Sequence, residues 1–404
     1  MQAPKKGPAP CRLRRGADIV ALYAAKPSRV RCRSDLPPRV SCEERPEPDM
    51  TDQTTTKVAI LGVGQMGLVC ANMLAGADPG MGGSRKDVDV RMWGHSPDEV
   101  GAVAQTRRSS RLDAFELDET VRVCLKLEEA LNCADIVVCA VPAQHVREVV
   151  AQTKPFVEPH AGFVSVAKGI EVESLLRPTQ VIAEALGDDP DTAARPLGCL
   201  SGPTIAAELA RCLPATMVAS TDQATDDGSF AEALQRLFNT SWLRVYTNDD
   251  LLGVELSGAT KNVIAIAAGI LDGLQAGINA KSALLARGLA EIARLGIAMG
   301  ASRDTFFGVA GVGDLATTCF SPEGRNRSFG EALGKGKTMD EYMDKSKFVV
   351  EGIATSRAVV ALAAKYRTEM PITQAVHSVL FDSVDPLDAI TGLMNRELKS
   401  EQIG

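Results

Sequence analysis

The sequence predicts an α/β protein in which a doubly wound parallel sheet is followed by an all-α helical C-terminal domain. Apolar stretches such as residues 58–61 and 134–141 are almost uninterrupted, which is typical of strands buried on both faces of a parallel sheet. These strands alternate with segments whose apolar residues recur at helical spacing. From about residue 249 onward only helical periodicity continues. We therefore expect a Rossmann-like first domain and a helical second domain.

The first strand leads into the glycine-rich turn Gly-Val-Gly-Gln-Met-Gly at residues 62–67, and a helix follows. Gly62 permits the turn, Gly64 leaves the backbone open to a pyrophosphate, and Gly67 allows the helix to approach the sheet. The N-terminus of the helix then faces the anion. A strand before the turn and a helix after it favour a dinucleotide site over the alternative, an ordinary glycine-rich turn.

Length and composition limit the classes of function. The chain has 404 residues, a net charge of −7 and ten cysteines without a CxxC pair. This acidity argues against nucleic-acid binding, and the scattered cysteines argue against a metal site or a disulfide framework. The sequence contains no stretch that approaches the roughly 20 apolar residues needed to span a membrane. We expect a cytoplasmic protein with a small-molecule substrate, no nucleic-acid partner and no bound metal.

The N-terminal residues differ from the rest of the chain. Residues 1–49 contain 8 of the 21 prolines and 11 Lys/Arg against 6 Asp/Glu, without periodicity. This composition predicts disorder and does not match a transit peptide or a secretory signal. We interpret residues 1–55 as a disordered extension and Met50 as a candidate translation start. A dinucleotide-binding domain at residues 56–247 and a helical substrate-binding and catalytic domain at residues 248–404 are expected to follow.

Ligands of open α/β sheets lie beyond the carboxyl ends of the strands. Lys168 directly follows the apolar stretch at residues 162–167, so it is expected at this edge. His95 follows the second strand, where an NAD-selective site usually places Asp or Glu. Without a carboxylate to repel a 2′-phosphate, His95 predicts a preference for NADP(H). The alternative is an ordinary exposed histidine.

The helix predicted at residues 256–271 is almost entirely apolar and small, so it should be buried all round. Lys261 and Asn262 stand out in it. A buried lysine needs a charged or hydrogen-bonding partner.

Six short motifs follow the glycine-rich turn in order. They are Lys-Gly-Ile-Glu at 168–171, Leu-Ser-Gly-Pro-Thr at 200–204, Thr-Lys-Asn at 260–262, Gly-Val-Gly-Asp-Leu at 311–315 with Thr-Thr-Cys at 317–319, Arg-Asn-Arg at 325–327 and Val-Val-Glu-Gly at 349–352. Over roughly residues 57–398, the chain resembles NAD(P)-dependent glycerol-3-phosphate dehydrogenase, most closely its bacterial form. The resemblance implies reversible reduction of dihydroxyacetone phosphate to sn-glycerol 3-phosphate by NADP(H) or NAD(H) for glycerophospholipid synthesis. It also implies a homodimer formed through the helical domain.

The resemblance assigns catalytic roles to Lys261, Lys168 and Asp314. Lys261 matches the family's proton donor in reduction and proton acceptor in oxidation. Lys168 matches a second lysine near the nicotinamide and the substrate oxygen, and Asp314 would pair with Lys261. The chemistry agrees, because hydride addition to a ketone produces an alkoxide that a positioned ammonium group both stabilises and protonates.

The resemblance also implies two sets of binding residues. Those matching cofactor positions are Gly62, Gly64, Gln65, Met66, Gly67, His95, Lys168, Ala206, Arg325, Val349 and Glu351. Those matching substrate positions are Lys168, Gly202, Thr204, Lys261, Asn262, Asp314, Thr318, Gly324, Arg325 and Asn326. Among them Arg325 suits the phosphate, because its planar fork donates two parallel hydrogen bonds.

The chain departs from the family pattern in two places. Gln65 and Met66 stand where relatives often have Ser-Trp or Asn-Trp, which weakens the assignment of these side chains to the cofactor. The glycine-rich loop at residues 76–86 replaces a very short turn. We expect this loop at the amino end of the sheet, away from the chemistry.

Two other functions compete with this interpretation. The glycine-rich turn also looks like that of β-hydroxyacid dehydrogenases, whose catalytic lysine is followed three and four residues later by asparagines. Ile264 and Ala265 occupy those positions here. The second alternative is a non-catalytic NADPH-sensing protein, which needs the glycines but not a buried lysine opposite a carboxylate.

Overall fold

The computed structural model describes residues 55–76, 85–113, 115–188, 195–221, 228–346, 348–398 and 400–401. Apart from Thr55, the extension predicted at residues 1–55, with its candidate start Met50, lies outside these residues. The described residues belong to one compact unit. The domain boundary expected between residues 247 and 248 stays a prediction.

Eight strands form a single sheet in the order β3-β2-β1-β4-β5-β6-β7-β8. Their bounds are β1 Thr56–Leu61, β2 Val88–Trp93, β3 Arg122–Val123, β4 Ile136–Cys139, β5 Gly162–Ser165, β6 Leu197–Ser201, β7 Ala215–Thr221 and β8 Leu243–Asn248. β1 pairs in parallel with both β2 and β4, so Ile60 lies between Met92 and Val138. Because the strand order reverses between β1 and β4, their carboxyl ends form the crevice where ligands of such sheets bind.

The predicted doubly wound parallel sheet is confirmed, with a difference at one edge. β7 runs antiparallel to β6, placing Cys199 opposite Ser220, and β8 is parallel to β7. The connection from β6 to β7 spans residues 202–214 and contains only the four-residue helix Ala206–Leu209. A parallel pair requires a crossover that carries a helix across the sheet, which this short connection does not provide.

Helices cover both faces of the sheet. They are α1 Gln65–Ala75, α2 Pro97–Thr106, α3 Leu127–Leu131, α4 Val146–Thr153, α5 Pro178–Leu186, α6 Ala206–Leu209 and α7 Ser229–Phe238. Leu68 of α1 and Phe238 of α7 pack in the core on one face, while Val149 of α4 and Ile182 of α5 pack on the other. Burial on both faces explains the continuous apolar strands in the sequence.

The remainder of the described chain is helical, as predicted. Its helices are α8 Leu251–Gly273, α9 Gly277–Met299, α10 Arg303–Phe307, α11 Asp314–Phe320, α12 Arg325–Gly334, α13 Met339–Met343, α14 Glu351–Lys365, α15 Pro371–Phe381 and α16 Pro386–Met394. α8 is long and apolar enough to cross a bilayer, but its most apolar 18 residues are all buried inside the protein. It is the central core helix of this half of the molecule.

A buried ion pair joins α8 to the sheet domain. Glu255 of α8 pairs with Arg177, 2.5 Å away, and accepts hydrogen bonds from the main-chain N–H and the hydroxyl of Thr179 at 2.9 and 2.7 Å. Arg177 precedes α5, and Thr179 lies in its first turn. Both carboxylate oxygens are therefore satisfied despite their burial, which removes the cost of an unpaired buried charge.

The ends of the loop at residues 76–86 lie at the amino end of the sheet, as expected. Gly76 ends α1 with φ of +73°, and the N–H of Arg85 donates to the carbonyl oxygen of Ala75 at 2.7 Å. The N–H of Thr56, at the start of β1, donates to the carbonyl oxygen of Asp87. Residues 77–84 lie outside the described residues.

Candidate active site

The glycine-rich turn lies at the carboxyl end of β1. Gly62 has φ of +119°, and a Cβ there would lie 2.5 Å from the carbonyl oxygen of Ala140. A Cβ at Gly67 would overlap the carbonyl oxygen of Gly62. A Cβ at Gly64, in contrast, would meet nothing within 4 Å, and no side chain caps α1 there. The open space in front of this helix N-terminus fits the pyrophosphate of a dinucleotide.

Other residues matched to the cofactor surround this turn. Gln65 donates from Nε2 to the carbonyl oxygen of Arg111 at 2.6 Å. Met66 and Ala206 pack against the core on the same face of the sheet. His95 lies two residues beyond β2 and is exposed. The side chains of Gln65 and Met66 thus contact protein, while the backbone of the turn remains open.

Two lysines and one aspartate form the centre of the site. The Nζ of Lys261 lies 2.6 Å from Oδ1 of Asp314, and the Nζ of Lys168 lies 2.8 Å from Oδ2. Lys261 also donates to the hydroxyl of Thr318 at 2.8 Å. The predicted pairing of Asp314 with Lys261 is present, and the sequence did not indicate that Lys168 shares the same carboxylate.

Three elements bring these charges together. Lys168 follows β5 at the carboxyl edge of the sheet, and Lys261 projects from the middle of α8. Asp314 is the first residue of α11, where a carboxylate interacts favourably with the helix dipole. A π-helical turn at Val309–Gly313 precedes it, and a Cβ at Gly311 would overlap the backbone of Phe306. The glycine-rich motif therefore permits the close turn that positions Asp314.

Burial changes the acidity of Lys261. Its pKa is lowered from 10.5 to about 8, chiefly by loss of water around the ammonium group and also by the positive charge of Lys168. The carboxylate of Asp314 opposes this shift by favouring the charged form. An ammonium group with this pKa is protonated at neutral pH yet can release its proton readily, which suits a general acid or base.

The matched polar residues around the lysines form one network. Lys168 donates from Nζ to the carbonyl oxygen of Gly202 at 2.8 Å and to the hydroxyl of Thr204 at 3.4 Å. Asn262 donates from Nδ2 to the main-chain carbonyl oxygen of Lys168 at 2.9 Å. These contacts fix both the side chain and the backbone of Lys168.

Arg325 is the first residue of α12 and is exposed. Its guanidinium lies over the ring of Phe348, 5.5 Å from the centroid, and within the described residues no carboxylate lies within salt-bridge distance of it. The protein around the guanidinium of Arg325 removes part of its water and thereby lowers its pKa, while the negative charge of Glu351 raises it. Arg327, two residues later, is bound to Asp272 at 2.6 Å. Arg325 is thus the arginine of this motif that remains available to a phosphate.

The neighbours of Arg325 are held by local hydrogen bonds. Asn326 accepts at Oδ1 from the N–H of Gly352 at 2.9 Å, joining the first turns of α12 and α14. The N–H of Gly324 donates to the carbonyl oxygen of Ser321 at 3.3 Å. Val349 is exposed. The amide of Gly324, one of the matched substrate positions, therefore closes a turn in this structure.

Glu351 connects the sheet to the helical half. Its Oε1 accepts from the N–H of Ala143 at 3.2 Å, while its Oε2 is buried without a hydrogen-bond partner among the described residues. Burial raises its pKa to about 7, although the Ala143 N–H and the charge of Arg325 favour the carboxylate. Burying an oxygen without a hydrogen-bond partner costs free energy. The free Oε2 of Glu351 therefore fits a site in which a polar group of the cofactor supplies the missing hydrogen bond.

Three contacts of this site could not be read from the sequence motifs. They are the Lys168–Asp314 ion pair, the Phe348 ring beside Arg325, and the Ala143 N–H donated to Glu351. Each joins residues far apart in the chain or lies outside the six motifs. For Ala143, the signal was its place at the carboxyl end of β4, where ligands of such sheets are expected.

Comparison with known proteins identifies the family. Residues 57–226 match the family model described as NAD-dependent glycerol-3-phosphate dehydrogenase N-terminus, and residues 250–391 match the model of its C-terminus. The chain belongs to this dehydrogenase family. The family expected from the six motifs is confirmed, and so are a nicotinamide cofactor and the activity of an oxidoreductase that interconverts dihydroxyacetone phosphate and glycerol 3-phosphate.

Individual relatives agree with this membership. The chain is 41% identical over 345 residues to glycerol-3-phosphate dehydrogenase [NAD(P)+] of Chlorobium limicola, covering 85% of this chain and 99% of the relative. It is 42% identical to a second such dehydrogenase of Salinibacter ruber, covering 86% and 96%. The crystal structure of glycerol-3-phosphate dehydrogenase from Coxiella burnetii superposes with a TM-score of 0.77 at 34% identity, covering 85% of this chain and all of that one.

Proposed function

We propose that this dehydrogenase reduces dihydroxyacetone phosphate with Lys261 as the proton donor, and that the reverse oxidation uses the same lysine as the acceptor. The observation that carries the proposal is the cluster beside the carboxyl ends of the strands in which the buried Lys261 and the partly buried Lys168 share the buried carboxylate of Asp314. In reduction the carbonyl oxygen gains negative charge, and the Lys261 ammonium both stabilises that charge and donates its proton. In oxidation the neutral amine accepts the proton of the alcohol.

Lys168 and Asp314 prepare Lys261 for this step. Asp314 orients the amine through a 2.6 Å contact and keeps it protonated at neutral pH. Lys168 contributes a second positive charge toward the substrate oxygen and, by repulsion, favours proton release from Lys261. Thr318 and the Asn262–Lys168 hydrogen bond restrict the positions that the two amines can take.

The residues fit a nicotinamide dinucleotide, which when bound supplies or accepts the hydride at the substrate carbon. The backbone of the turn at Gly62, Gly64 and Gly67 would hold the pyrophosphate, and Glu351 would lie toward the nicotinamide end. Arg325, with Gly324 and Asn326, would hold the substrate phosphate at a distance from the reacting carbon. Gly202 and Thr204 would contact the substrate beside Lys168.

The proposal also includes the cofactor preference, the cellular location and the oligomeric state of the enzyme. His95 supports preference for NADPH over NADH, since no carboxylate occupies its position at the end of β2. We propose that the enzyme acts in the cytoplasm, as a homodimer formed through the helical domain, and supplies glycerol 3-phosphate to glycerophospholipid synthesis.

A spectrophotometric assay tests the reaction and its acid–base chemistry together. We expect dihydroxyacetone phosphate to drive NADPH oxidation, and 3-oxo acids to give none above the rate without substrate. The reduction rate should fall as pH rises through about 8, because Lys261 loses its proton, while the oxidation rate should rise. Turnover of a 3-oxo acid would favour a β-hydroxyacid dehydrogenase, and a complete lack of turnover would favour a sensor. Parallel pH profiles in both directions would exclude Lys261 as the proton carrier.

A further inference from the structure

Arg111 belongs to none of the family motifs, yet it lies beside the dinucleotide turn. Its carbonyl oxygen accepts the 2.6 Å hydrogen bond from Nε2 of Gln65, the first residue of α1. Arg111 and Val63, which is part of the turn, line the same cavity of about 460 Å³, together with residues of α2. The backbone of Arg111 is thus held close to the helix N-terminus that faces the open space at Gly64.

The guanidinium of Arg111 is held much more loosely than that of a nearby arginine. It pairs with Glu99 of α2, and both side chains are partly exposed, at 35% and 43%. Arg107, in contrast, donates to the carbonyl oxygens of Leu117, Asp118 and Val121 and so fixes the segment after α2. A half-exposed ion pair contributes little to stability and can exchange partners at small cost. Arg111 is therefore free to turn toward a ligand without unfolding its segment.

Arg111 also approaches the helical half of the molecule. Its charge is close enough to Arg325 to lower the pKa of that guanidinium. One arginine comes from the sheet domain and the other from the start of α12, so like charges from the two halves of the molecule repel each other. A bound anion near both groups would reduce this repulsion.

We propose that Arg111 is a cofactor-binding residue that clamps the pyrophosphate of the dinucleotide, exchanging its Glu99 partner for phosphate oxygens when the cofactor binds. The hydrogen bond from Gln65 holds the backbone of Arg111 at the start of α1, which favours the pyrophosphate over the 2′-phosphate expected at the end of β2, beside His95. The planar fork of arginine matches phosphate oxygens in pairs. The inference deepens the proposed function and rests on it only for the use of a dinucleotide.

Binding of NADPH and of NADH to the full-length protein, measured by calorimetry without substrate, tests the clamp. Both cofactors contain the pyrophosphate, so Arg111→Gln should raise both dissociation constants by the same factor, about 10- to 100-fold. Arg122→Gln makes the same charge change on β3 and should leave both constants unchanged. A loss confined to NADPH would assign Arg111 to the 2′-phosphate and overturn the proposal, as would unchanged binding of both cofactors.

Glu99→Gln separates the clamp from a purely structural ion pair. If Arg111 must leave Glu99 to bind phosphate, removing this carboxylate should tighten both cofactors by a few-fold. If the pair only holds the segment together, both variants should weaken binding and lower the melting temperature, which would overturn the proposal. Should Arg111→Gln fail to fold, Arg111→Lys keeps the charge without the fork and should still weaken both cofactors equally. Because these measurements contain no substrate, they stand even if the proposed roles of the lysines fail.

Discussion

Lys168 and Lys261 share the single carboxylate of Asp314, with one ammonium group on each of its oxygens, at 2.8 and 2.6 Å. The two lysines come from the sheet and from the central helix α8, so this carboxylate sets the distance between the two halves of the active site. Asp314 is only 1% exposed. The trio carries a net charge of +1, so removing Asp314 leaves two facing ammonium groups without their shared carboxylate, whereas removing either lysine leaves a balanced ion pair.

We expect Lys261→Ala to lower kcat by orders of magnitude while NADPH still binds, because the alkoxide loses its proton source and its nearest positive charge. The cofactor site is built mostly from turns of the sheet domain and should be spared. Steady-state kinetics and NADPH titration measure the two effects. Lys281 is a matched control, since it is equally buried but paired with Asp272, and Lys281→Ala should reduce stability with little effect on kcat. Near-normal kcat in Lys261→Ala would transfer the acid role to Lys168.

Asp314→Asn should slow turnover less than loss of Lys261, because the proton donor remains. The amide removes the negative charge that favours the ammonium form, so the pKa of Lys261 should fall below about 8. The loss of reduction activity with rising pH should therefore begin at lower pH than in the unmodified enzyme. The pH profile of kcat measures this shift. An unshifted profile would show that Asp314 does not control the protonation of Lys261.

Arg325→Ala should mainly raise KM for dihydroxyacetone phosphate, because its guanidinium holds the phosphate equally before and during hydride transfer. The phosphate is remote from the reacting carbon, so kcat should change little. Arg327→Ala provides the comparison, since Arg327 is bound to Asp272 and should affect stability more than KM. An unchanged KM in Arg325→Ala would remove Arg325 as the phosphate anchor.

His95→Asp should shift cofactor preference toward NADH. A carboxylate at the end of β2 repels a 2′-phosphate and accepts a hydrogen bond from the free 2′-hydroxyl. The ratio of kcat/KM for NADPH to that for NADH measures the effect, and His95→Asn controls for loss of the imidazole without added charge. If His95→Asp leaves the ratio unchanged, another residue recognises the 2′-phosphate.

Glu291 should make stability depend on pH. This carboxyl, 3% exposed, accepts from the N–H groups of Ile372 and Thr373 at the start of α15, and burial raises its pKa from 4.5 to about 7. A raised pKa means that the folded protein binds this proton more tightly than the unfolded chain does. The stability that the protonated Glu291 contributes is therefore full below pH 4.5 and is lost as pH rises through about 7. Relative to Glu291→Gln, the free energy of unfolding should fall by about 2 kcal/mol between pH 5.5 and 8. Denaturant unfolding at both pH values measures it, and a constant difference would refute the shift.

Much of the fold and of the site followed from the sequence because the signals were local. The glycines at 62–67, the buried strands and the all-round apolar α8 each express a steric or solvation constraint within a short segment. The burial of Lys261 was predictable from its apolar neighbours. The pairing of Lys168 with Asp314 and the approach of Arg111 to Arg325 were not, because they depend on how segments more than 140 residues apart are packed. The antiparallel direction of β7 could not be predicted either, because it depends on the short connection from β6, and the pattern of apolar residues is the same for parallel and antiparallel strands in the core.

The placement of Glu255 on α8 has a consequence for how enzymes of this family can be recombined. α8 carries Glu255, locked to the start of α5, and Lys261 six residues later, so one rigid helix transmits the docking of the sheet domain to the catalytic amine. A chimaera that takes α8 from this chain and its sheet from a dehydrogenase without an arginine at the position of Arg177 would leave the buried charge of Glu255 without its partner. The unit of exchange is therefore the sheet domain together with α8, although the change from strands to helices in the chain falls before it.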